Sequence, residues 1–332
     1  MRTTTMQLLA WNIGNGDVDC FVTVMNAKHL FNITEVSRAA ENPTEGYQRL
    51  LSDKRAKSIA AYLDEGNIIP GAIILSTKEG CNLNYDSKNN TLDFEDLASK
   101  LFVIDGQHRL YGASKSEKDI LLPVCIFSGL NLKQEVQYFL DINSNQVGVP
   151  KTLRIELLKF LTEPESKESV LVRMFRELGD DIASPLYGRI APTSSVIGKL
   201  SHVPFHSSLE KLIDSGTLKN FDYEKKKTLI THYLNAASSV LKEIEGNDKR
   251  LVTSIFFQAL FLIFEDVCSY AITYYRNYSE SSFFKILLGI NKINFENHSG
   301  TNSQNVKALA DDLRNLIELN VRTLETPDDL LG

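Results

Sequence analysis

The chain has 332 residues, of which 43% are hydrophobic, and it carries a formal net charge of -6 with a pI of about 5.6. A chain of this length and composition can bury a sizeable core, in one large domain or in two smaller ones. Its acidic balance repels phosphate polymers, so any contact with nucleic acid requires a local basic face.

The cysteines and the apolar segments indicate the compartment. The four cysteines are scattered without CxxC spacing, which argues against a zinc site or a disulfide framework and favours reduced thiols in a cytoplasm. The N-terminal stretch has only a short apolar run, unlike a signal peptide or an anchor. The most apolar segment, residues 251–264, ends at two acidic residues well short of a bilayer span. We therefore predict a core helix there and no membrane contact.

The first half of the chain mixes strand and helix patterns. β-Branched and aromatic residues predict strands over 20–27, 68–76, 101–104 and 121–127. Apolar spacing predicts helices over 52–66, from about residue 106, and over 131–143; the first of these begins at an N-cap serine. The Asn-rich segment 77–100 predicts a hairpin excursion, and the glycine-bearing segment 12–17 predicts a turn.

From Pro150 onward, apolar residues recur at spacings of three and four, which predicts helices almost exclusively. The predicted helices cover 152–161, 169–179, 225–244, 249–275 and 305–321. We therefore expect an α+β protein with two domains, an α/β domain over residues 1–150 followed by a mainly helical domain over 151–332.

In the segment LFVIDGQHRLYGAS, residues 101–114, five residues with candidate functional roles follow directly after a predicted buried strand. They are Asp105, Gly106, Gln107, His108 and Arg109. A strand that feeds a helix presents the free N–H groups of that helix at its carboxyl end, which suits an anion such as phosphate. Gly106 lets the main chain approach a ligand, while His108 and Arg109 add donors or charge. Asp105 can cap the helix or orient the arginine. An ordinary salt bridge between Asp105 and Arg109, with His108 satisfied nearby, explains the same residues equally well.

The residues DGQHRLYGA resemble the signature of the DGQHR-domain family, which is related to ParB and sulfiredoxin. Similar boxes upstream (46–76) and downstream (141–157), with SPLYGRI at 184–190, extend the resemblance over most of 46–190. The resemblance implies a ParB/sulfiredoxin-like fold and a place in bacterial DNA-modification and phage-defence systems. The family includes DndB-like proteins, associated with DNA phosphorothioation, and DpdB-like proteins, associated with insertion of 7-deazaguanine into DNA. The sequence does not separate these two branches.

The resemblance also implies a ligand for the turn. ParB relatives bind a nucleotide or DNA through a similar box, and sulfiredoxins bind ATP phosphates at a similar turn. Sulfiredoxin has its catalytic cysteine where this chain has Gln107, which excludes thiol phosphotransfer at that position. The upstream box adds Arg49 and Arg55 as phosphate-binding candidates, whereas Lys54 and Lys57 are better explained by a solvated basic face.

The downstream box adds Asp141, Asn143 and Gln146 as ligand-binding candidates. Their carboxylate and amide groups suit a ribose, a base edge or a hydrated Mg²⁺. Turn chemistry alone accounts for the asparagine equally well. His202 and His206 are four residues apart, but Pro204 between them argues against a helical metal pair, so we predict structural or surface roles and no metal site.

Two functions of different classes follow from these features. In the first, the chain binds ATP or another NTP with Mg²⁺ and couples binding or hydrolysis to a DNA-modification enzyme of the same gene cluster. Asp105, His108 and Arg109 would then be catalytic, and since no G-x-x-x-x-G-K-[ST] pattern occurs, this NTPase would lack a Walker site. In the second, the chain is a non-catalytic DNA-binding regulator, as the DndB resemblance implies. A nuclease is a weaker third reading, and the sequence leaves homo-oligomerisation open.

Overall fold

A computed structural model of the chain describes residues 5–36, 52–78, 81, 83–95, 101–144, 149–298, 300 and 302–324. Two units are distinguished, Met1–Val149 and Pro150–Gly332. The first contains a mixed sheet with helices, and the second is almost wholly helical. The protein is therefore α+β with a helical C-terminal region, as the sequence predicts.

The described residues of the first unit form one mixed sheet. Its strands are β1 (Thr5–Asn12), β2 (Asp19–Asn26), β3 (Thr34–Glu35), β4 (Ile73–Thr77), β5 (Leu83–Asp86), β6 (Thr91–Glu95), β7 (Leu101–Asp105) and β8 (Leu121–Ser128). Their spatial order is β3-β7-β4-β8-β2-β1-β6-β5. The pairs β3/β7 and β4/β8 are parallel, and the other neighbouring pairs are antiparallel.

Four helices accompany the sheet in the described part of this unit: α1 (Ala27–Asn32), α2 (Asp53–Asp64), α3 (Gln107–Ser114) and α4 (Leu132–Ser144). Helix α2 begins where the sequence predicts, because the Ser52 hydroxyl accepts a hydrogen bond from the Arg55 N–H at 3.3 Å. Leu63 of α2 and Leu110 of α3 are buried with Val103 and Val124 of the sheet in one apolar core. This core fixes the position of α2 and α3 against the sheet.

Most elements of the first unit lie within two residues of their predicted positions, and the 77–100 hairpin is confirmed as β5 and β6. The strand predicted over 68–76 begins instead at Ile73. The reason is that Pro70 has no N–H to donate to a sheet, and Gly71 turns the chain at a φ of +95°. Strand β1, helix α1 and the two-residue strand β3 were not predicted.

The helical unit contains α5 (Lys151–Leu161), α6 (Lys167–Asp180), α7 (His202–Leu209), α8 (Tyr223–Glu245), α9 (Ser254–Leu262), α10 (Phe264–Tyr270), α11 (Glu280–Leu287) and α12 (Ser303–Leu324). Two short strands, β9 (Ile190–Ala191) and β10 (Leu200–Ser201), pair in parallel. The core includes large aromatic side chains: Phe205, Tyr233 and Phe257 are fully buried. The buried Tyr233 hydroxyl donates a hydrogen bond to the Leu260 carbonyl at 2.7 Å.

The single helix predicted over 249–275 is wrong, because this segment is broken. A 3₁₀ turn at Lys249–Val252 precedes α9, and a π-helical turn at Ala271–Tyr275 follows α10. Among the described residues, no single helix has the length and apolar character to cross a membrane. Ser254–Leu262 and Phe264–Tyr275 reach that length and composition only together, with a bend of 48°. Phe256, Leu260 and Phe264 in this pair are fully buried in the core of the unit.

A buried ion cluster joins α5, α6 and α7. The Glu156 side chain is fully buried, and its carboxylate accepts hydrogen bonds from Lys159 Nζ at 2.7 Å, Arg176 Nε at 2.7 Å and His202 Nε2 at 2.6 Å. Burial opposes ionisation of the carboxylate, but the hydrogen bonds from His202 and Arg176 outweigh it and lower the pKa of Glu156 to about 2. Burial also lowers the pKa of His202, so a neutral imidazole donates its Nε2–H to the carboxylate.

Helix α7 bears on the expectation that Pro204 would keep His202 and His206 from sharing a helix. Both histidines lie on helix α7, because Pro204 occupies its first turn, where a missing N–H costs no hydrogen bond. On this helix His202 contacts the Glu156 carboxylate. The structural role expected for His202 agrees with its complete burial and its carboxylate partner.

Candidate functional site

The turn Asp105–Arg109, here called the DGQHR turn, connects the end of β7 to the start of α3. Gly106 precedes α3 in the left-handed conformation, with a φ of +90°. A Cβ at this position would lie 2.8 Å from Ile73 Cδ1. Both the backbone conformation and the close contact therefore require glycine. The predicted strand-to-helix turn is confirmed.

Asp105 and Arg109 form an ion pair across the turn, with Arg109 Nη2 2.6 Å from Asp105 Oδ2. Both side chains are mostly buried. The guanidinium lies against the main chain of Gly71, where an added Cβ would be 2.5 Å from Arg109 Nη1. Asp105 therefore orients the arginine and does not cap α3. The salt bridge that the sequence offered as an alternative is present.

His108 connects the DGQHR turn to helix α2. The backbone N–H of Ser52, the N-cap residue of α2, donates to His108 Nε2 at 3.1 Å. The imidazole is consequently in a form without a proton on Nε2. This bond holds the N-terminus of α2 beside the N-terminus of α3.

Helices α2 and α3 pack in parallel, so their N-termini lie at the same end. Ser52 contacts His108 at that end, and at the other end Asp64 Oδ1 accepts hydrogen bonds from the Ser116 hydroxyl at 2.5 Å and the Glu117 N–H at 3.0 Å. Each helix N-terminus carries a partial positive charge from its free N–H groups. The two partial charges add at one place on the surface, which favours an anion there.

Gly112 makes this parallel packing possible. A Cβ at Gly112 would lie 2.4 Å from Ile59 Cγ2 and 2.9 Å from the Ala56 carbonyl oxygen. The two helices therefore approach at a distance that excludes any side chain at this position. The glycine of LYGA is a packing residue of the helix pair, a role that the sequence analysis did not assign.

The cations at the start of α2 differ in their partners. Asp53 pairs with Lys115 at 2.5 Å and with Lys57 at 3.1 Å, and these contacts lower the pKa of Asp53 to about 2. Lys54 and Arg55 are exposed and have no ion-pair partner among the described residues. Two cations thus remain free for a ligand in the first turn of α2.

In a comparison with protein-family models, residues 8–299 match DndB, described as DNA-sulfur modification-associated. The match includes most of the chain and contains the whole DGQHR turn. The chain belongs to the DndB family. Comparison with curated proteins and with solved structures gives no match.

Membership in the DndB family associates the chain with DNA-sulfur modification. This agrees with the DndB-like part of the resemblance found in the sequence. The wider DGQHR grouping, the ParB/sulfiredoxin relationship and the DpdB-like branch stay predictions.

The remaining candidate residues are Arg49, Asp141, Asn143 and Gln146. Asp141 and Asn143 lie in the last turns of α4, and their described hydrogen bonds stay within that helix: Gln137 Nε2 donates to Asp141 at 2.8 Å, and Asn143 donates to the Phe139 carbonyl at 2.8 Å. Arg49 and Gln146 lie outside the described residues. The sequence predicts Ser52 as the N-cap of α2 but does not predict its hydrogen bond to His108.

Gln107 has a further property. Its Oε1 atom is buried and has no hydrogen-bond donor among the described residues. Buried polar atoms are nearly always paired in proteins, so this acceptor suits a ligand that donates a hydrogen bond. The described residues contain no group of three or more His, Cys, Asp or Glu side chains placed to hold a metal ion.

Proposed function

We propose that the chain is a non-catalytic, DNA-binding regulator of a DNA-sulfur modification gene cluster, and that the paired N-termini of α2 and α3 hold a phosphate of the DNA backbone. The observation that carries this proposal is the hydrogen bond from Ser52 to His108, which aligns the two N-termini beside Lys54 and Arg55. A phosphate at this place meets two helix N-termini and two cations that pair with no carboxylate in the described part of the chain.

A binding role also suits the residues expected to be catalytic. Asp105 and Arg109 neutralise each other, and His108 Nε2 already accepts a hydrogen bond. A general base has to offer a free acceptor atom within hydrogen-bond reach of the proton that it removes. The contacts of these three side chains instead support the shape of the turn.

The proposal predicts a specific loss of DNA affinity in the double variant Lys54→Ala, Arg55→Ala. Each neutralised phosphate contributes about -0.9 to the slope of log K against log salt, so losing two cations lowers the magnitude of the slope by about 2. We expect affinity at low salt to fall by about 10-fold or more. Titration of a labelled duplex from the promoter of the gene cluster, at several salt concentrations, measures both quantities.

The matched control is Lys225→Ala with Lys226→Ala, which removes two adjacent cations from the first turn of α8 in the helical unit. The net charge of the two double variants is the same, so a general electrostatic effect would weaken both equally. Equal loss of affinity in the two variants contradicts the proposed site. Arg109→Ala is a less direct test, because it leaves the mostly buried Asp105 without its partner.

A second candidate function is favoured by Gln107 Oε1. A nucleoside hydroxyl or amino group would donate to this buried acceptor, whereas a phosphate of the DNA backbone has no hydrogen to donate. ATP or another NTP, with Mg²⁺ on its phosphates, would then occupy the turn and serve a DNA-modification enzyme of the same gene cluster. Calorimetric titration with ATP, CTP and GTP in Mg²⁺ tests this role. Saturable binding that is lost in Gln107→Leu supports it, and phosphate release would identify a hydrolase.

A further inference from the structure

Three neighbouring strands present an apolar face to solvent. On the inner face of β1, β2 and β8, side chains such as Ala10, Phe21 and Val124 are buried in the core. Six apolar residues of the outer face form what we call the open sheet face: Leu9, Trp11, Val22, Val24, Leu121 and Pro123. Of these, Leu9, Trp11, Val24 and Leu121 are exposed by 66%, 55%, 56% and 67% of their surfaces.

The strand register makes the open sheet face continuous. Val24 lies opposite Pro123 on the next strand, and the Thr23 hydroxyl of β2 donates a hydrogen bond to the Leu9 carbonyl of β1 at 2.8 Å. The register that pairs Ala10 with Thr23 also places Trp11 opposite Val22. Directly opposite residues of antiparallel strands have Cβ atoms about 5 Å apart, so these side chains contact one another. The four most exposed ones present roughly 500 Å² of apolar surface, the upper end of what a monomeric protein leaves uncovered.

We propose that the open sheet face is the interface of a homodimer, packed against the same face of a second copy of the chain. A twofold axis joins identical patches, so each patch has to complement itself, and a wholly apolar face does so. Two sheets packed face to face bury such side chains between them at a separation of about 10 Å. The roughly 500 Å² of these four side chains is more than half of the roughly 800 Å² per partner that a stable interface buries.

The charges around the open sheet face also suit a second copy. The six positions include no charged residue, so the face offers nothing to a phosphate backbone. At the rim, Gln7 Nε2 donates to Asp93 at 2.8 Å, and Lys28 lies 3.7 Å from Asp119. Polar groups that are already paired within one chain let an identical chain approach without contact between like charges.

The chain supplies its own probe for this interface, because Trp11 is its single tryptophan. Indole fluorescence shifts to shorter wavelength when the ring leaves water. Analytical ultracentrifugation of the full chain, from nanomolar to high micromolar concentration, should show the mass rise from 37.3 kDa to twice that value. The Trp11 emission should shift to the blue over the same concentration range.

The variant Val24→Lys places a charge at the centre of the proposed interface. We expect its dimer dissociation constant to rise at least about 30-fold, the effect of losing a central contact residue, and its tryptophan emission to stay that of an exposed ring. Ile197→Lys is the matched control, because Ile197 is a fully exposed apolar residue of the helical unit and its replacement should leave dimerisation unchanged. Thermal unfolding followed by circular dichroism verifies that both variants fold.

Two results would overturn the dimer proposal. One is a chain that sediments as a monomer at every concentration with an exposed indole. The other is a dimer that Val24→Lys does not weaken relative to Ile197→Lys, which would place the contact elsewhere on the surface.

Discussion

Replacement of Glu156 by alanine is expected to lower the free energy of unfolding by about 3–5 kcal/mol, the cost of breaking a buried ion pair. The carboxylate is fully buried and holds Lys159, Arg176 and His202. Without it, two cations keep their desolvation penalty and lose the charge that offsets it. Guanidinium denaturation followed by circular dichroism at pH 7 measures the loss.

The control for this variant is Glu163→Ala, an exposed carboxylate just beyond the end of α5. Surface substitutions of this kind change stability by less than about 0.5 kcal/mol. Glu156→Gln keeps the shape and part of the hydrogen bonding, so we expect a smaller loss than for alanine. A change below about 1 kcal/mol for Glu156→Ala would show that the cluster contributes little to stability.

The same cluster makes the stability of the fold depend on pH. The pKa shifts of Glu156 and His202 give the direction of this dependence. The pKa of Glu156 falls from 4.5 to about 2 on folding, so its contribution is complete above pH 4.5 and is lost as the pH drops towards 2. The difference between wild type and Glu156→Gln should therefore shrink in this window. His202 has a pKa below its usual 6.5 in the folded chain, so its burial destabilises the fold as the pH falls below 6.5.

The local part of the candidate site could be predicted from the sequence. The β7 strand, the glycine turn and the start of α3 depend on neighbouring residues, as does the N-cap of α2 by Ser52. The ion pair of Asp105 with Arg109 joins residues four apart and was foreseen as one of two alternatives. Each of these features depends on chemistry within one turn of the chain.

The long-range part could not be predicted in this way. Ser52 and His108 are 56 residues apart, and no local pattern indicates that one N–H will meet the other ring. Strand β1 was missed because both of its faces are apolar: Leu9 and Trp11 point outward while Ala10 points into the core. An exposed apolar face removes the alternation by which a half-buried strand is recognised. The exposed apolar face that makes β1 hard to recognise in the sequence is the face that we propose as the dimer interface.

Gly112→Ala is expected to destabilise the chain by about 3 kcal/mol, at the upper end of the cost of overpacking. The added methyl group would lie 2.4 Å from Ile59 Cγ2 and 2.9 Å from the Ala56 carbonyl oxygen. A change of the Ile59 rotamer moves Cγ2 but leaves Cβ 2.5 Å from the added methyl group, and the Ala56 oxygen can move only with the main chain of α2. Helices α2 and α3 must therefore separate. Urea denaturation of the variant measures the loss.

Two further variants isolate the cause of this destabilisation. Gly129→Ala is the control, because a Cβ at Gly129 meets nothing within 4 Å although its φ is +77°. It should cost about 1 kcal/mol, from backbone conformation alone. Adding Ile59→Gly to Gly112→Ala removes both contacts that the new methyl group makes with Ile59, at 2.4 Å and 2.5 Å, so the double variant should lose less stability than the sum of the single variants. Additive losses would indicate that Gly112 and Ile59 do not oppose each other.

The same substitution tests whether the alignment of the two helix N-termini matters for binding. The bond from Ser52 to His108 spans the interface that Gly112 keeps close, so separating α2 from α3 breaks it. At temperatures where the variant remains folded, we expect DNA affinity to fall about 10-fold, although Lys54 and Arg55 are unchanged. Destabilisation with unchanged affinity would mean that the two cations bind DNA without the paired helix N-termini, since charge alone then suffices.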